Sequence, residues 1–201
     1  MVVVKTISIE DFTTDAGAVY KQIDLHYQQF GQAIDQAPVV LINHSLTGDA
    51  NVTGSEGWWS EIVGPGCTID TNHYAIIAFN IPGNGVNDNV LKNFEDFHTG
   101  DIAEIFYLSL KQLGISKLFA IVGGSIGGGI AWEMAALYPT LTENLIPVAA
   151  DWKASDWIIA NTFLQKRLLE NSSEPLKDAR IHAMLTYRTP ASFTARFGRT
   201  I

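Results

Sequence analysis

The segment "LFAIVGGSIGGGIAWEMAALYP", residues 118–139, contains one serine, Ser125. The amino-acid composition of the segment differs on the two sides of this serine. An apolar run precedes this serine, and a stretch of helical composition follows it. Gly123-Gly124-Ser125-Ile126-Gly127 therefore matches the pattern G-x-S-x-G at a predicted strand-to-helix junction. The tight turn strains its central residue and needs small neighbours. The pattern predicts a serine hydroxyl exposed at the end of a strand.

The start of the following helix predicts a chemical role for this serine. The first N–H groups of a helix have no partners within it, and they favour negative charge. The backbone N–H of Ile126 is therefore suited to stabilise an oxyanion formed beside Ser125. Neither a dinucleotide fingerprint nor a phosphate loop fits, because residues 123–129 contain no G-x-G-x-x-G register and no Gly-Lys-Ser/Thr. A glycine-rich turn with a packing role alone is the alternative.

Short apolar runs elsewhere in the chain predict an α/β fold. The runs that indicate buried strands are Val39–Ile42, Tyr74–Phe79, Leu118–Val122 and Leu145–Ala149. An amphipathic helix, opened by Thr99 and Asp101 and closed by Gly114, separates the second run from the third. Strands that alternate with helices indicate a mostly parallel sheet with flanking helices. Two earlier β-rich segments, Thr6–Ile9 and Ala18–Tyr27, predict an antiparallel edge.

Composition narrows the class of protein and its partners. The 201 residues carry a formal net charge of −8, and they contain no cluster of Lys and Arg that would suit nucleic acid. The single cysteine excludes an intrachain disulfide and a cysteine-rich zinc site, and no metal-ligand spacing stands out. No run approaches the ~20 apolar residues of a membrane span. We therefore expect a cytoplasmic protein with small-molecule partners, no membrane association and no bound metal.

Several segments, taken in their order along the chain, resemble the homoserine O-acetyltransferase family of α/β-hydrolase-fold enzymes. They are His44-Ser45-Leu46-Thr47-Gly48-Asp49, Gly57-Trp58-Trp59, Gly64-Pro65-Gly66, Ile69-Asp70-Thr71, Gly123-Gly124-Ser125-Ile126-Gly127-Gly128, Ala179-Arg180, Leu185-Thr186-Tyr187-Arg188 and Arg196-Phe197-Gly198-Arg199. The resemblance implies an α/β-hydrolase core over residues 1–152 that stops before the last strands of the fold. Residues 153–201, helical with breaks near 171–175 and at Pro190, would begin a lid.

The resemblance also implies the roles of particular residues. Ser125 would be acylated by an acyl-CoA co-substrate, expected to be acetyl-CoA, and would pass the acyl group to homoserine or a related hydroxy amino acid in methionine biosynthesis. Backbone N–H groups of Leu46 and Ile126 would form the oxyanion hole, while Arg180 and Tyr187 would meet the acceptor. No bound cofactor is implied, no cofactor-binding residues are identified, and a homodimer is compatible with the family. The alternatives are a solvated helix charge for Arg180 and a core aromatic for Tyr187.

Two features depart from the family pattern. The loop Ile81–Asp88 differs in sequence, which leaves the acyl group and the acceptor open. After Ser125 the only histidine is His182, in a helical region, and Asp151 is either a catalytic acid or a helix N-cap. His44 is expected to shape the oxyanion loop. Because a serine needs a base, we expect a fragment that lacks the triad Asp and His and is inactive alone.

Three functions remain open at this point. The first is the acyl-CoA-dependent O-acyltransferase that the resemblance implies. The second is an esterase or thioesterase of the same fold, which the altered loop after Asn80 allows. The third is a non-catalytic remnant or interaction module, which would account for the missing triad partners.

Overall fold

The computed structural model describes residues 4–88, 90–91 and 93–198. The chain divides into two compact units between Trp152 and Lys153. The strands of the first unit are β1 (Lys5–Thr13), β2 (Val19–Gly31), β3 (Val39–Asn43), β4 (Val63–Gly64), β5 (Ile69–Asp70), β6 (Ala75–Phe79), β7 (Leu118–Gly124) and β8 (Thr142–Val148). Its helices are α1 (Thr99–Gln112) and α2 (Ile126–Leu137), with short 3-10 turns at Val86–Asp88 and Phe94–Asp96.

Six strands form the central sheet in the order β1-β2-β6-β3-β7-β8. Strands β6, β3, β7 and β8 run parallel, whereas β1 and β2 form an antiparallel edge. Every residue of β3 and β6 is buried, as expected for parallel strands covered on both faces. The predicted α/β class, with its antiparallel edge, is therefore confirmed.

Some strand bounds differ from those predicted. Strand β8 begins at Thr142 rather than Leu145, because its polar first residues lie at the edge of the six-stranded sheet. Strand β2 continues to Gly31, since its last residues pair with β6 after its first residues have paired with β1. The short parallel pair β4 and β5 was not predicted.

Helix α1 packs its apolar side into the main core of the first unit. Phe106 is fully buried, and its ring centroid lies 5.0 Å from that of Phe79 in β6. The buried Asp101 accepts hydrogen bonds from the backbone N–H groups of His98 and Asp15, each at 2.7 Å. This carboxylate satisfies the N–H of the residue before the predicted helix, and it also binds the N–H of Asp15 in the turn between β1 and β2.

The second unit contains α3 (Asp156–Asn171), α4 (Pro175–Tyr187) and α5 (Pro190–Phe197). The breaks predicted near residues 171–175 and at Pro190 are confirmed. Helix α3 begins after Ser155, whose side chain accepts from the N–H of Ile158, so the alternative of Asp151 as the N-cap is wrong. In the part of the chain that the structure describes, no helix is long and apolar enough to cross a membrane.

Candidate active site

Ser125 lies between β7 and α2 with a backbone conformation that few non-glycine residues adopt. Its φ is 54° and its ψ is −121°, a combination that costs about 1–3 kcal/mol and persists only where the surroundings enforce it. The N–H of Ser125 donates to the carbonyl oxygen of Val148 in β8 at 2.9 Å, while its own carbonyl oxygen accepts from α2. The residue is exposed. This geometry agrees with the turn expected of a G-x-S-x-G sequence.

Two glycines of the motif leave room for the close packing of this turn. A Cβ at Gly123 would lie 2.1 Å from the carbonyl oxygen of Gly127. A Cβ at Gly127 would lie 2.3 Å from the carbonyl oxygen of Asn43 and 2.5 Å from that of His44. The first turn of α2 therefore rests directly on the backbone where β3 ends, which brings the serine turn and the loop after β3 to one edge of the sheet.

The loop after β3 carries Leu46, whose backbone was expected to form half of the oxyanion hole. A turn closed by the N–H of Gly48 and the carbonyl oxygen of Ser45 holds the loop, and the Leu46 side chain is 73% exposed. Within the described residues, the N–H groups of Leu46 and Ile126 have no hydrogen-bond partner. Both amides are thus available to an external acceptor, as the prediction requires.

His44 occupies the start of that loop and has both ring nitrogens in use. The N–H of Ile81 donates to Nε2 at 2.9 Å, so Nδ1 carries the proton and donates to the carbonyl oxygen of Ser45 at 2.7 Å. Burial lowers the pKa of His44 below its ordinary value and outweighs the opposing effects of the Ser45 carbonyl and Asp49. A neutral imidazole with both nitrogens occupied can hold the loop in shape, and it has no free nitrogen for proton transfer.

Two further side chains, to which the sequence analysis assigned no role in the site, hold the same loop. The buried Asn80 accepts from the N–H of Ala50 at 2.8 Å and from the side-chain amide of Asn84 at 3.2 Å. Trp58 donates its indole N–H to the carbonyl oxygen of Asp49 at 2.9 Å and stacks on Trp59. The sequence offered one signal for each residue: Asn80 directly follows a predicted strand, and Trp58 lies in a loop segment that resembles the family.

No other histidine of the first unit is identified as a base for Ser125. His26 lies within β2 and interacts with Thr6 at 2.9 Å, and His73 pairs with Asp70 at 3.0 Å. His98 precedes α1 and is exposed. Asp151 is exposed, and its carboxylate accepts from the N–H of Trp152.

Arg180 and Tyr187 lie in the second unit, on α4. They are seven residues apart, two helical turns, and so share one face of the helix. Arg180 is exposed, and Tyr187 is 80% exposed, so the alternative of a core aromatic at Tyr187 is wrong. Arg199, part of the last resembling segment, lies outside the described residues.

Comparison with known proteins agrees with the geometry of the first unit. A family model described as "alpha/beta hydrolase fold" matches residues 38–178, which is more than half of the chain. The chain belongs to the α/β-hydrolase fold family. The matched range includes β3, the serine turn and the start of the second unit.

The resemblance to homoserine O-acetyltransferases is also confirmed. The chain is 28% identical to the homoserine O-acetyltransferase of Carboxydothermus hydrogenoformans, over 98% of this chain and 61% of that protein. The crystal structure of the Staphylococcus aureus homoserine O-acetyltransferase is 27% identical, with a TM-score of 0.83 over 98% of this chain and 62% of that one. The chain thus spans about three-fifths of the length of such relatives.

Esterases share the fold as well. The crystal structure of esterase E22 gives a TM-score of 0.86 at 23% identity, covering 100% of this chain and 67% of that one. At this identity the likeness concerns the fold alone.

Among the described residues, no group of three His, Cys, Asp or Glu side chains could hold a metal ion.

Proposed function

We propose that this α/β-hydrolase-fold chain belongs to an acyl-CoA-dependent O-acyltransferase in which Ser125 is the nucleophile. The observation that carries the proposal is the strained, exposed Ser125 at the sheet edge that also carries the unpartnered backbone N–H groups of Leu46 and Ile126. Similarity to homoserine O-acetyltransferases supports transfer to homoserine or a related hydroxy amino acid, with acetyl-CoA as the expected donor. That similarity likewise supports a place in methionine biosynthesis.

The proposed reaction has two steps, each through a tetrahedral oxyanion. In the first, Ser125 Oγ forms a bond to the acyl carbonyl carbon, the C–S bond of acyl-CoA breaks, and the hydroxyl proton ends on the CoA thiol. In the second, the acceptor hydroxyl attacks the acyl carbon, the bond to Oγ breaks, and Ser125 regains a proton. The N–H groups of Leu46 and Ile126 stabilise the negative oxygen in both steps.

We assign binding of the acceptor to α4. The planar guanidinium of Arg180 suits the carboxylate of an amino acid, because it can donate two parallel hydrogen bonds. The hydroxyl of Tyr187, on the same face of the helix, is a hydrogen-bond donor for the reacting groups. The exposure of both side chains leaves them available for such contacts.

The proposal needs a general base, which is not identified among the described histidines of the first unit. His182, the one described histidine after Ser125, lies within α4 of the second unit. We propose that the acid and base of a catalytic triad lie outside the residues described, and that this chain alone is inactive in acyl transfer from CoA. We include a cytoplasmic location in this proposal, which the expected CoA co-substrate and the sequence composition support. A homodimer remains part of the same proposal, by analogy with the family.

The experiment follows acylation of Ser125 directly. The chain is incubated with p-nitrophenyl acetate, an activated donor, with and without imidazole as an external base, and its intact mass is measured. We expect one acetyl group per chain, formed faster with imidazole, and located on Ser125 by peptide mapping. Ser125→Ala is the matched control. Equal labelling of both variants, or none of either, would contradict the proposal.

Partitioning of the acyl-enzyme separates a transferase from a hydrolase. The acetylated chain is isolated and exposed to buffer with or without homoserine. For a transferase, we expect O-acetylhomoserine to form and the acetyl group to be lost faster when homoserine is present. Arg180→Lys, which keeps the charge and loses the bidentate fork, should weaken the dependence on homoserine. Loss of the acetyl group to water alone would favour the esterase alternative.

A further inference from the structure

An apolar pocket of about 240 Å³ lies in the first unit, next to the serine turn. Its wall includes the loop after β6, the start of α1 and the start of α2. The apolar side chains that form most of the wall are Ile81, Leu91, Phe94, Phe97, Ile126 and Ile130. The polar lining residues are His98 and Thr99. Such a wall favours a hydrocarbon occupant, because polar groups placed against it would lose their hydrogen bonds to water.

Two residues of the pocket wall connect the pocket to the serine turn and to the loop after β3. Ile126, one wall residue, directly follows Ser125 and supplies one of the two free backbone N–H groups. Ile81, another, donates its N–H to His44, whose backbone begins the loop that carries Leu46. The part of an acyl donor that becomes attached to Ser125 is the acyl group itself. Its chain is therefore the apolar segment that must lie nearest to this pocket.

The size of the pocket exceeds what a two-carbon acyl group needs. A volume of about 240 Å³ corresponds to roughly eight times the ~30 Å³ occupied by one water molecule in the liquid. An acetyl group beyond its carbonyl is a single methyl group, which would leave most of this apolar space unfilled. Each methylene buried there would strengthen binding by roughly fourfold.

The wall formed by Leu91 depends on a close approach to the backbone. A Cβ at Gly83, whose φ is +81°, would lie 2.9 Å from both Cβ and Cγ of Leu91. Glycine at this position therefore lets Leu91 pack directly over the loop that leaves β6. The contact between Gly83 and Leu91 therefore forms one wall of the pocket. Gly83 belongs to the segment Ile81–Asp88, whose sequence departs from the family pattern.

We infer that this pocket binds the hydrocarbon chain of a medium-length acyl group, in the butanoyl to octanoyl range, which replaces the acetyl group of the relatives on the donor that acylates Ser125. The inference rests on the proposed function for the covalent step and concerns the substrate class of the same site. The charged acceptor and the polar amides of CoA do not fit the apolar wall. The acyl chain satisfies both the position of the pocket and its chemistry.

Binding is tested without acylation, so that the pocket is examined independently of the nucleophile. Methyl acetate, butanoate, hexanoate and octanoate are titrated into Ser125→Ala, and their dissociation constants are measured by NMR. We expect affinity to rise about fourfold per methylene until the pocket is filled. Adding Leu91→Trp should weaken hexanoate binding at least tenfold and leave acetate unchanged, because the larger ring occupies the pocket.

Val90→Trp is the matched control, since Val90 is 66% exposed and does not line the pocket. It should leave the chain-length series unchanged. If Leu91→Trp lowers the melting temperature enough to impair folding, Phe94→Ala replaces it. Phe94 is 69% exposed, so its truncation is tolerated, and loss of its contact should weaken hexanoate binding severalfold.

The outcomes separate this inference from the proposed function. Equal affinity for all four esters, or a rise with chain length that neither Leu91→Trp nor Phe94→Ala reduces, would overturn the pocket assignment. Chain-length dependence lost in those variants supports it, even if the chain with Ser125 intact proves unable to form an acyl-enzyme. Acylation of Ser125 at the same rate by p-nitrophenyl acetate and hexanoate would count against the pocket while leaving the nucleophile in place.

Discussion

The two units of the chain bury their side chains to very different extents. In the first, all residues of β3 and β6 are buried, and the ring of Phe106 in α1 packs against that of Phe79 in the sheet. In the second, Ala179 is the one buried residue among those described, while Trp157 and Tyr187 are 74% and 80% exposed. One unit is stabilised by a core of its own. The other consists of helices whose described side chains are, with the exception of Ala179, not buried.

This difference in burial explains why the serine turn, unlike α4, can hold a strained backbone conformation. A strained backbone persists only where surrounding contacts enforce it, and the first unit supplies those contacts at Gly123, Gly127 and Val148. Helices α3 and α5 instead begin at local signals, the side-chain caps of Ser155 and Thr189. Helix α4, which carries Arg180 and Tyr187, has no side-chain cap, and the side-chain amide of Gln165 in α3 donates to its Ala179 carbonyl oxygen at 3.0 Å.

The largest effect should come from removing a buried ring. Phe106→Ala should lower the free energy of unfolding by about 3–5 kcal/mol, because it leaves a cavity against Phe79. The control is Phe163→Ala in α3, where the ring is 64% exposed and the cost should stay below about 1 kcal/mol. Urea unfolding followed by circular dichroism measures both. Similar costs for the two rings would break the comparison between the units.

Glycines within one helix sharpen the comparison. Gly127→Ala should cost about 1–3 kcal/mol or more, because its new Cβ would lie 2.3 Å from the carbonyl oxygen of Asn43. Gly129→Ala, in the same helix with nothing within 4 Å, should stabilise by about 0.5–1 kcal/mol. Urea midpoints at constant m-value give the difference. A stabilising Gly127→Ala would show that α2 does not rest on the end of β3.

The buried His44 should make stability fall in mild acid. Its pKa is lowered in the folded chain, so the unfolded chain takes up the proton first as pH falls below about 6.5. Stability is therefore full above this pH and declines below it, at no more than about 1.4 kcal/mol per pH unit. Urea unfolding between about pH 5 and 7 should show a shallower dependence in His44→Gln. Identical slopes would mean that His44 titrates normally.

The smallest effect concerns the strain at Ser125. Ser125→Gly should raise the free energy of unfolding by about 1 kcal/mol, since glycine adopts a φ of 54° readily but loses more conformational freedom on folding. Ser125→Ala keeps the Cβ and should gain little. The two variants are compared by urea unfolding under one set of conditions. If Ser125→Ala raised the free energy of unfolding as much as Ser125→Gly, the destabilisation at this position would come from the hydroxyl group rather than from the backbone conformation.

The sequence predicted those parts of the fold that a continuous local pattern determines. Strands β3, β6 and β7 have uninterrupted apolar runs, and they lie within two residues of their predicted bounds. The serine turn was predicted because its strain requires a recognisable set of small residues. The start of β8 was not, because Thr142 and its polar neighbours lie at a sheet edge, where hydrophobic patterning is weak.

The side chains that support the site were harder to predict from sequence. The buried Asn80 bonds to the N–H of Ala50, thirty positions away, and no local pattern marks such a partner. His44 was expected to shape its loop, whereas its bond to Ile81 depends on β3 and β6 lying side by side. Asp151 was one candidate for the N-cap of α3, but Ser155 is the N-cap. The position of a cap depends on the residue at which the helix begins, which the sequence did not predict.

The two hydrogen bonds of His44 have a consequence for any change in donor selectivity. One imidazole joins the segment that carries the amide of residue 46 to the segment that lines the pocket after β6. Remodelling of the second segment would therefore displace the first. Natural or laboratory variants that shift preference among donors should alter catalytic rate at the same time, and a compensating substitution near His44 would be needed to recover it.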